Sequence, residues 1–205
     1  MHMMIDLETF GTAPGSVIRS IGACIFDPWA SNWANDSSPC FYANVDEQSC
    51  LDIGLTKDPR TEEWWAKQPR EVEALLLTNQ LPIERVLSSL EQFWHDTRAQ
   101  FVWSYGANFD IVLIEEAIRR ADAAHAADGK GPEGEAVASW EMAPPWSYKN
   151  TMCCRTTLRH AGIDLESYSK AQPGNRIKHH ALDDARVQAN AVTAAYQRLR
   201  IPRHI

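Results

Sequence analysis

Five side chains suited to chemistry on a charged ester fall in three short contexts: Asp6 and Glu8 in IDLETFG, Asp110 in GANFDIVL, and His179 and Asp184 in HHALDDA. An Asp-x-Glu at the end of an apolar strand puts both carboxylates on one face, because strand side chains alternate with period two. Asp110 and Asp184 each open an apolar, helix-like segment. Four carboxylates gathered at one place must be neutralised, and hard divalent cations with oxygen ligands do that best. Two such ions about 3.5–4 Å apart form a clamp for phosphodiester cleavage. The histidine five residues before the last aspartate adds a group that accepts a proton near neutral pH. Taken singly, each acid has an ordinary reading. Asp6 or Glu8 is an exposed strand-end carboxylate, and Asp110 or Asp184 a first-turn acid favoured by the helix dipole. Three contexts in this order outweigh those readings. His180 and Asp183 are the neighbours easily mistaken for site residues: counting back five from Asp184 selects His179, and Asp183 is turned by ~100° on the helix.

The elements that must position these groups are legible in part. Met3–Leu7 is a short apolar strand and Val17–Phe26 a second, ended by Asp27-Pro28. The GTAPGS stretch between them is turn material and predicts a hairpin. After a polar loop over residues 29–39, Cys40–Val45 reads as a third strand. Asp58-Pro59 introduces a helical region that Pro69 divides. Over Pro82–Asp96, Ile83, Val86, Leu87, Leu90, Phe93 and Trp94 share one helical face, with the proline near the first turn. Phe101–Tyr105 is a fourth strand, Asn108–Ala123 a helix beginning at the second context, and Thr151–Cys154 the last strand. Residues 181–199 form a terminal helix with Ala185, Val192, Tyr196 and Leu199 turned inward. The Gly-, Pro-, Ala- and Glu-rich stretch 127–148 reads as a surface insertion. With no internal repeat, the pattern is one α/β domain over residues 1–205.

Composition narrows the class. A chain of 205 residues with 44% hydrophobic content and eight tryptophans is long and apolar enough for a sizeable core. No apolar run approaches the ~18–20 residues of a membrane span, and MHMMIDLETF lacks the pattern of a signal peptide. Five cysteines without C-x-x-C spacing disfavour a disulfide scaffold and a zinc site, so all are read as reduced thiols in a cytoplasmic protein. Of these, Cys153 and Cys154 would point to opposite faces of a strand. The formal charge of −7 is unevenly divided: +6 over residues 149–205 against −13 over residues 1–148. The basic third carries His179, which suits a surface that tracks phosphates.

These motifs resemble the DEDDh 3′-5′ exonucleases, and most of all the branch with the mycobacterial exoribonuclease and the phage exodeoxyribonuclease A. Asp6-Leu7-Glu8-Thr9 followed by Gly11, Phe109-Asp110, and His179-x-Ala181-Leu182-x-Asp184-Ala185 carry the resemblance. Thr61-Glu62-Glu63-Trp64-Trp65-x-x-Gln68 and Arg155-Thr156 resemble that branch in particular. The likeness runs from Asp6 to about Tyr196. Where many members carry an asparagine four residues before the second-motif Asp, this chain has Gly106.

The resemblance implies a ribonuclease-H-like α/β fold, a five-stranded mixed sheet flanked by helices. Asp6 and Glu8 would lie on its central strand. It implies a 3′-5′ exonuclease that releases nucleoside 5′-monophosphates from single-stranded 3′ ends, with RNA ahead of DNA. Asp6, Glu8, Asp110 and Asp184 would hold two divalent cations, Mg²⁺ or Mn²⁺; the catalytic residues would be His179, the general base, and Glu8, which helps hold the ion that carries the attacking water. Phe10 follows the first motif closely enough to stack on the terminal base, or else packs in the core. Trp64 and Trp65 point different ways on a helix, so one is core and the other, assigned to Trp65, walls the substrate. Arg155, Arg176 and Lys178 are candidate phosphate contacts. A phosphodiesterase for short oligonucleotides and an inactive nucleic-acid-binding module are the competing functions. Homodimerisation is common in related exonucleases, and the tryptophan content permits an interface.

Overall fold

Alternation along β1 (His2–Thr9) sorts its side chains between two buried layers. Met3, Ile5 and Leu7 enter one apolar cluster, and Met4 enters the other, on the face that also carries Asp6 and Glu8. In a computed structural model of the chain, which describes residues 1–30, 37–128, 143–172 and 177–203, β1 is the middle of a five-stranded sheet. The other strands are β2 (Ile18–Phe26), β3 (Cys40–Asn44), β4 (Phe101–Ser104) and β5 (Thr151–Cys153). Their order is β3-β2-β1-β4-β5. The first three strands are antiparallel, Asp6 lying opposite Gly22, while β4 and β5 run parallel to β1. This is the mixed sheet expected from the sequence, with the hairpin closed by Phe10 N–H donating to the Val17 carbonyl (2.9 Å).

Helices cover both faces. Between β3 and β4 come α1 (Glu47–Asp52), α2 (Pro59–Trp65), α3 (Arg70–Leu76) and α4 (Ile83–Thr97). Asp58 caps α2 and Pro69 separates it from α3, as the prolines predicted. On α4, Ile83, Val86, Leu87, Leu90 and Trp94 are buried, each worth roughly 1.5–3 kcal/mol of burial. They pack with α5 (Asp110–Asp128) against the Met3 face of β1. The opposite face is covered by α6 (Cys154–Ala161) and α8 (Ala181–Leu199), with α7 (Leu165–Ala171) between them in sequence. On α8 the inward stripe is Ala185, Ala189, Val192 and Tyr196; Leu199, expected inside, is 39% exposed because the helix ends at Arg200 with a left-handed backbone.

Three short helices were not anticipated. α1 and α7 are capped by Asp46 on Ser49 N–H and Asp164 on Ser167 N–H, local signals that six- or seven-residue helices leave easy to overlook. α6 starts directly on β5, so Cys154 is its first residue rather than the end of a strand. Cys153 and Cys154 still diverge, the first partly exposed and the second buried, and all five cysteines are free. Of the 127–148 stretch, residues 129–142 lie outside the described residues. Its end folds back onto the core: Trp146 is buried edge-on to Trp94, and its indole N–H donates to the Glu115 carboxylate (2.9 Å). Among the described residues no helix is long and apolar enough to cross a membrane.

Candidate active site

The carboxylates converge at the end of β1. Asp6 and Glu8 share the α8 face of the strand. Across the hairpin, Gly22 lets the backbone of α8 descend onto the sheet: a Cβ there would lie 2.2 Å from Leu182 N and 2.3 Å from Ala181 C. That close approach brings the first turn of α8, with Asp184, to the strand, and it places His179 beside it. Asp110 arrives from the other side. The parallel strand β4 ends at Ser104, a turn closed by Phe109 N–H on the Gly106 carbonyl (2.8 Å) follows, and α5 begins at Asp110. One ligand atom each of Glu8, His179 and Asp184 lies within 4.8 Å of the others. Asp6, Asp110, His179 and Asp184 line a cleft of about 590 Å³.

Bringing these acids together is electrostatically unfavourable without a counter-charge. Glu8 and Asp110 are 7% and 3% exposed. Burial, reinforced by Asp184, pushes Glu8 up to about 8 against the pull of Arg19. Burial pushes Asp110 up to about 7 against backbone hydrogen bonds. Burial and then Asp110, Glu8 and Asp184 raise Asp6 well above the carboxylate range, although the Gln188 side-chain N–H donates to its Oδ1 (2.7 Å). Buried carboxylate oxygens that burial and mutual repulsion push above the usual carboxylate range are the donor set a hard divalent cation fits.

His179 sits at the mouth with φ 61°, the left-handed region that non-glycine residues seldom occupy, at a cost on the order of 1–2 kcal/mol. Burial and neighbouring Lys178 lower its pKa, so the ring is neutral at neutral pH. His180 turns away to stack on Tyr42 (4.3 Å) and approach Asp183 (3.5 Å). Asp183 in turn approaches Arg186 and accepts from Ile177 N–H, so this pair forms a network outside the carboxylate cluster.

The expected substrate contacts divide. Arg155 and Lys178 line the cleft. The Arg155 backbone N–H donates to the Tyr105 carbonyl (2.8 Å), and its guanidinium lies 4.8 Å from the Tyr105 ring centre. A Cβ on Gly106 would come within 2.7 Å of Arg155 Nη2, so the guanidinium fills the space a side chain at 106 would need. Arg176 lies outside the described residues. Trp65, assigned from sequence as the wall, is 5% exposed and its indole N–H donates to the Thr9 carbonyl (2.8 Å). The open indole is its neighbour Trp64, at 42% exposure. Both line a second hollow of about 550 Å³ with Glu8, Thr12, Arg60 and Thr61; Leu7 and Phe109 border this hollow and the first cleft alike. Phe10 is partly buried with Arg19 over its ring at 4.2 Å, which is the packing alternative. Sequence reasoning passed over Gln188 and Gly22. Gln188 follows Asp184 by one turn on α8, a spacing that could have found it; a glycine inside an apolar strand hints at close backbone approach but names no partner.

No curated protein sequence matches the chain. Among solved structures it is similar to exonuclease X in complex with 5′-overhanging duplex DNA, at 16% identity and a TM-score of 0.51, covering 96% of this chain and 92% of that one. That likeness is one of fold, a ribonuclease-H-like α/β architecture. The sequence itself goes further than the fold: the 3′-5′ exoribonuclease Rv2179c-like domain model matches residues 1–196, and the chain belongs to that family.

Proposed function

We propose that the protein is a metal-dependent 3′-5′ exonuclease acting on single-stranded 3′ ends, with RNA ahead of DNA, and that it releases nucleoside 5′-monophosphates. The observation that carries this reading is the meeting of Glu8, His179 and Asp184 within 4.8 Å at the cleft lined by Asp6 and Asp110. Asp6, Glu8, Asp110 and Asp184 would hold two divalent cations, Mg²⁺ or Mn²⁺. Such cations stabilise charge on phosphoryl oxygens and acidify bound water. Among this chain's own groups, neutral His179 accepts the proton of the attacking water. Gln188 orients the Asp6 carboxylate through its 2.7 Å hydrogen bond. Arg155 and Lys178 meet backbone phosphates along the cleft, the planar guanidinium braced on Tyr105. Trp65, buried with its indole N–H on the Thr9 carbonyl, presents no open face to the substrate.

The test is a gel time course on 5′-labelled RNA and DNA 20-mers with Mg²⁺, Mn²⁺ or EDTA, run beside Asp6→Ala. A metal-dependent ladder that shortens from the 3′ end and is absent in the variant is expected, faster on RNA. Cleavage confined to oligonucleotides of two to five residues would replace this reading with the short-oligonucleotide phosphodiesterase. Retained binding without any ladder would replace it with an inactive binding module.

A further inference from the structure

The general base of the proposed reaction stands on an aromatic support, the Trp64-Trp65 pair at the end of α2. His179 follows residues 173–176, which lie outside the description, and precedes α8. Among the described residues its imidazole makes no hydrogen bond or ion pair that would aim it. What touches it is indole. Trp64 meets the ring edge-on, centroids 4.9 Å apart at 87°, and Trp65 stands behind at 6.1 Å and 77°. The two indoles are themselves perpendicular at 5.0 Å.

This support is anchored well away from the imidazole. The Trp65 N–H is committed to the carbonyl of Thr9, the residue after Glu8. The guanidinium of Arg19 lies 4.5 Å from the centre of Trp65 and 4.2 Å from that of Phe10. Arg19 is 5% exposed and held by Glu73 at 2.7 Å. The Gln68 amide donates to the Trp64 carbonyl (3.1 Å), closing the end of α2. Phe10, Arg19, Trp65 and Trp64 thus form a packed ladder from the hairpin to the imidazole. Its inner end is tied to the same strand that carries Glu8.

We infer that Trp64 is a positioning residue for this reaction: it aims the His179 imidazole at the carboxylate cluster, and Trp65 with Arg19 holds it in place. The inference rests on the exonuclease reading. It assigns Trp64 to the base rather than to the departing nucleotide, and it accounts for the burial of Trp65. Among the described residues the base is held by its left-handed backbone and the two indoles; it loses its aim when the Trp64 indole is removed, and a misplacement of about 1 Å is enough to cost one to two orders of magnitude in rate.

The experiment compares wild type, Trp64→Ala, Trp64→Phe and His179→Gln, with the double variant Trp64→Ala/His179→Gln, on one 5′-labelled RNA. Trp64→Ala is expected to lower kcat about tenfold or more with KM within about threefold, since aim rather than binding is lost. Trp64→Phe, which keeps a ring edge, recovers most of that loss. In the His179→Gln background Trp64→Ala costs less than about twofold, because the two residues act as one unit. An independent readout uses the metal-free protein: the His179 ring-proton resonance, identified by its absence in His179→Gln, moves toward the random-coil position in Trp64→Ala. A raised KM with unchanged kcat, an equal loss in the His179→Gln background, or an unmoved resonance would each overturn the inference while leaving the nuclease in place. A wild-type chain without nuclease activity would overturn the reading beneath it.

Discussion

Gly22→Ala is the sharpest test of how this site is assembled, because it adds one methyl group to a residue that does no chemistry. The added Cβ would sit 2.2 Å from Leu182 N, 2.3 Å from Ala181 C and 2.6 Å from Leu182 Cα. All three are backbone atoms of the first turn of α8, which no rotamer change can move. Ordinary contact begins near 3.4 Å, so the gap must open by 1.2 Å. Either α8 lifts or β2 bows, and both separate Asp184 and His179 from Asp6, which lies opposite Gly22 in the hairpin. Overpacking of this kind costs about 1–3 kcal/mol of stability, and a 1 Å misplacement of reacting groups costs on the order of 10²-fold in rate. The expected variant is therefore folded, with a lowered urea midpoint, about a hundredfold lower kcat and weakened Mn²⁺ binding by calorimetry. Val86→Ala, a buried truncation on α4, serves as the control: it loses comparable stability and keeps its kcat and metal affinity. If Gly22→Ala turned over RNA at the wild-type rate with unchanged Mn²⁺ affinity, the idea that this glycine sets the position of α8 would be wrong.

Three further outcomes follow from groups whose protonation the fold perturbs. Burial and then the chain's α-amino group lower His2 from 6.5 to about 4, with its Nδ1 accepting from the Trp103 indole N–H (2.8 Å). Above pH 6.5 both states are neutral; as pH falls from 6.5 to 4 the unfolded chain binds the proton first, so stability drops by up to about 3 kcal/mol, and urea melts at pH 7 and 4.5 should show this slope shrinking in His2→Gln. Because Glu8 and Asp110 lie near 8 and 7, Mg²⁺ or Mn²⁺ added at pH 7 in weak buffer should release protons and raise Tm. An unchanged pH on metal addition would count against the carboxylates as ligands, and Asp6→Ala should blunt both signals. His179→Ala should lower kcat by about 10²–10⁴-fold at neutral pH. With its pKa held below 6.5 by burial and Lys178, wild-type kcat should stay level from pH 8 to 6.5 and decline only in more acidic solution; preserved turnover in the variant would remove the base assignment.

Much of this protein is written in short stretches of its chain. Period-two alternation around Asp6 and Glu8, the apolar face of α4 from Ile83 to Trp94, and the Pro59 and Pro69 punctuation are local patterns, and the structure follows them nearly residue for residue. The residue types at Asp6, Glu8, Asp110, His179 and Asp184 likewise name a chemistry, because four acids and an imidazole have few common purposes. Other features depend on distances between residues far apart in sequence, and no local pattern encodes those. Trp64 and Trp65 are adjacent and alike, yet one is buried on the Thr9 carbonyl and the other is open beside His179, a choice made by how α2 meets the hairpin. Gly106 reads as a missing side chain until the guanidinium of Arg155, 49 positions later, is seen in its place. Gly22 is an unremarkable strand residue until the backbone of Leu182 is found against it. Which acids meet at one place follows from that packing: side-chain type is a property of one position, whereas an approach of 2.2 Å belongs to two elements that meet only after the sheet and α8 have folded together.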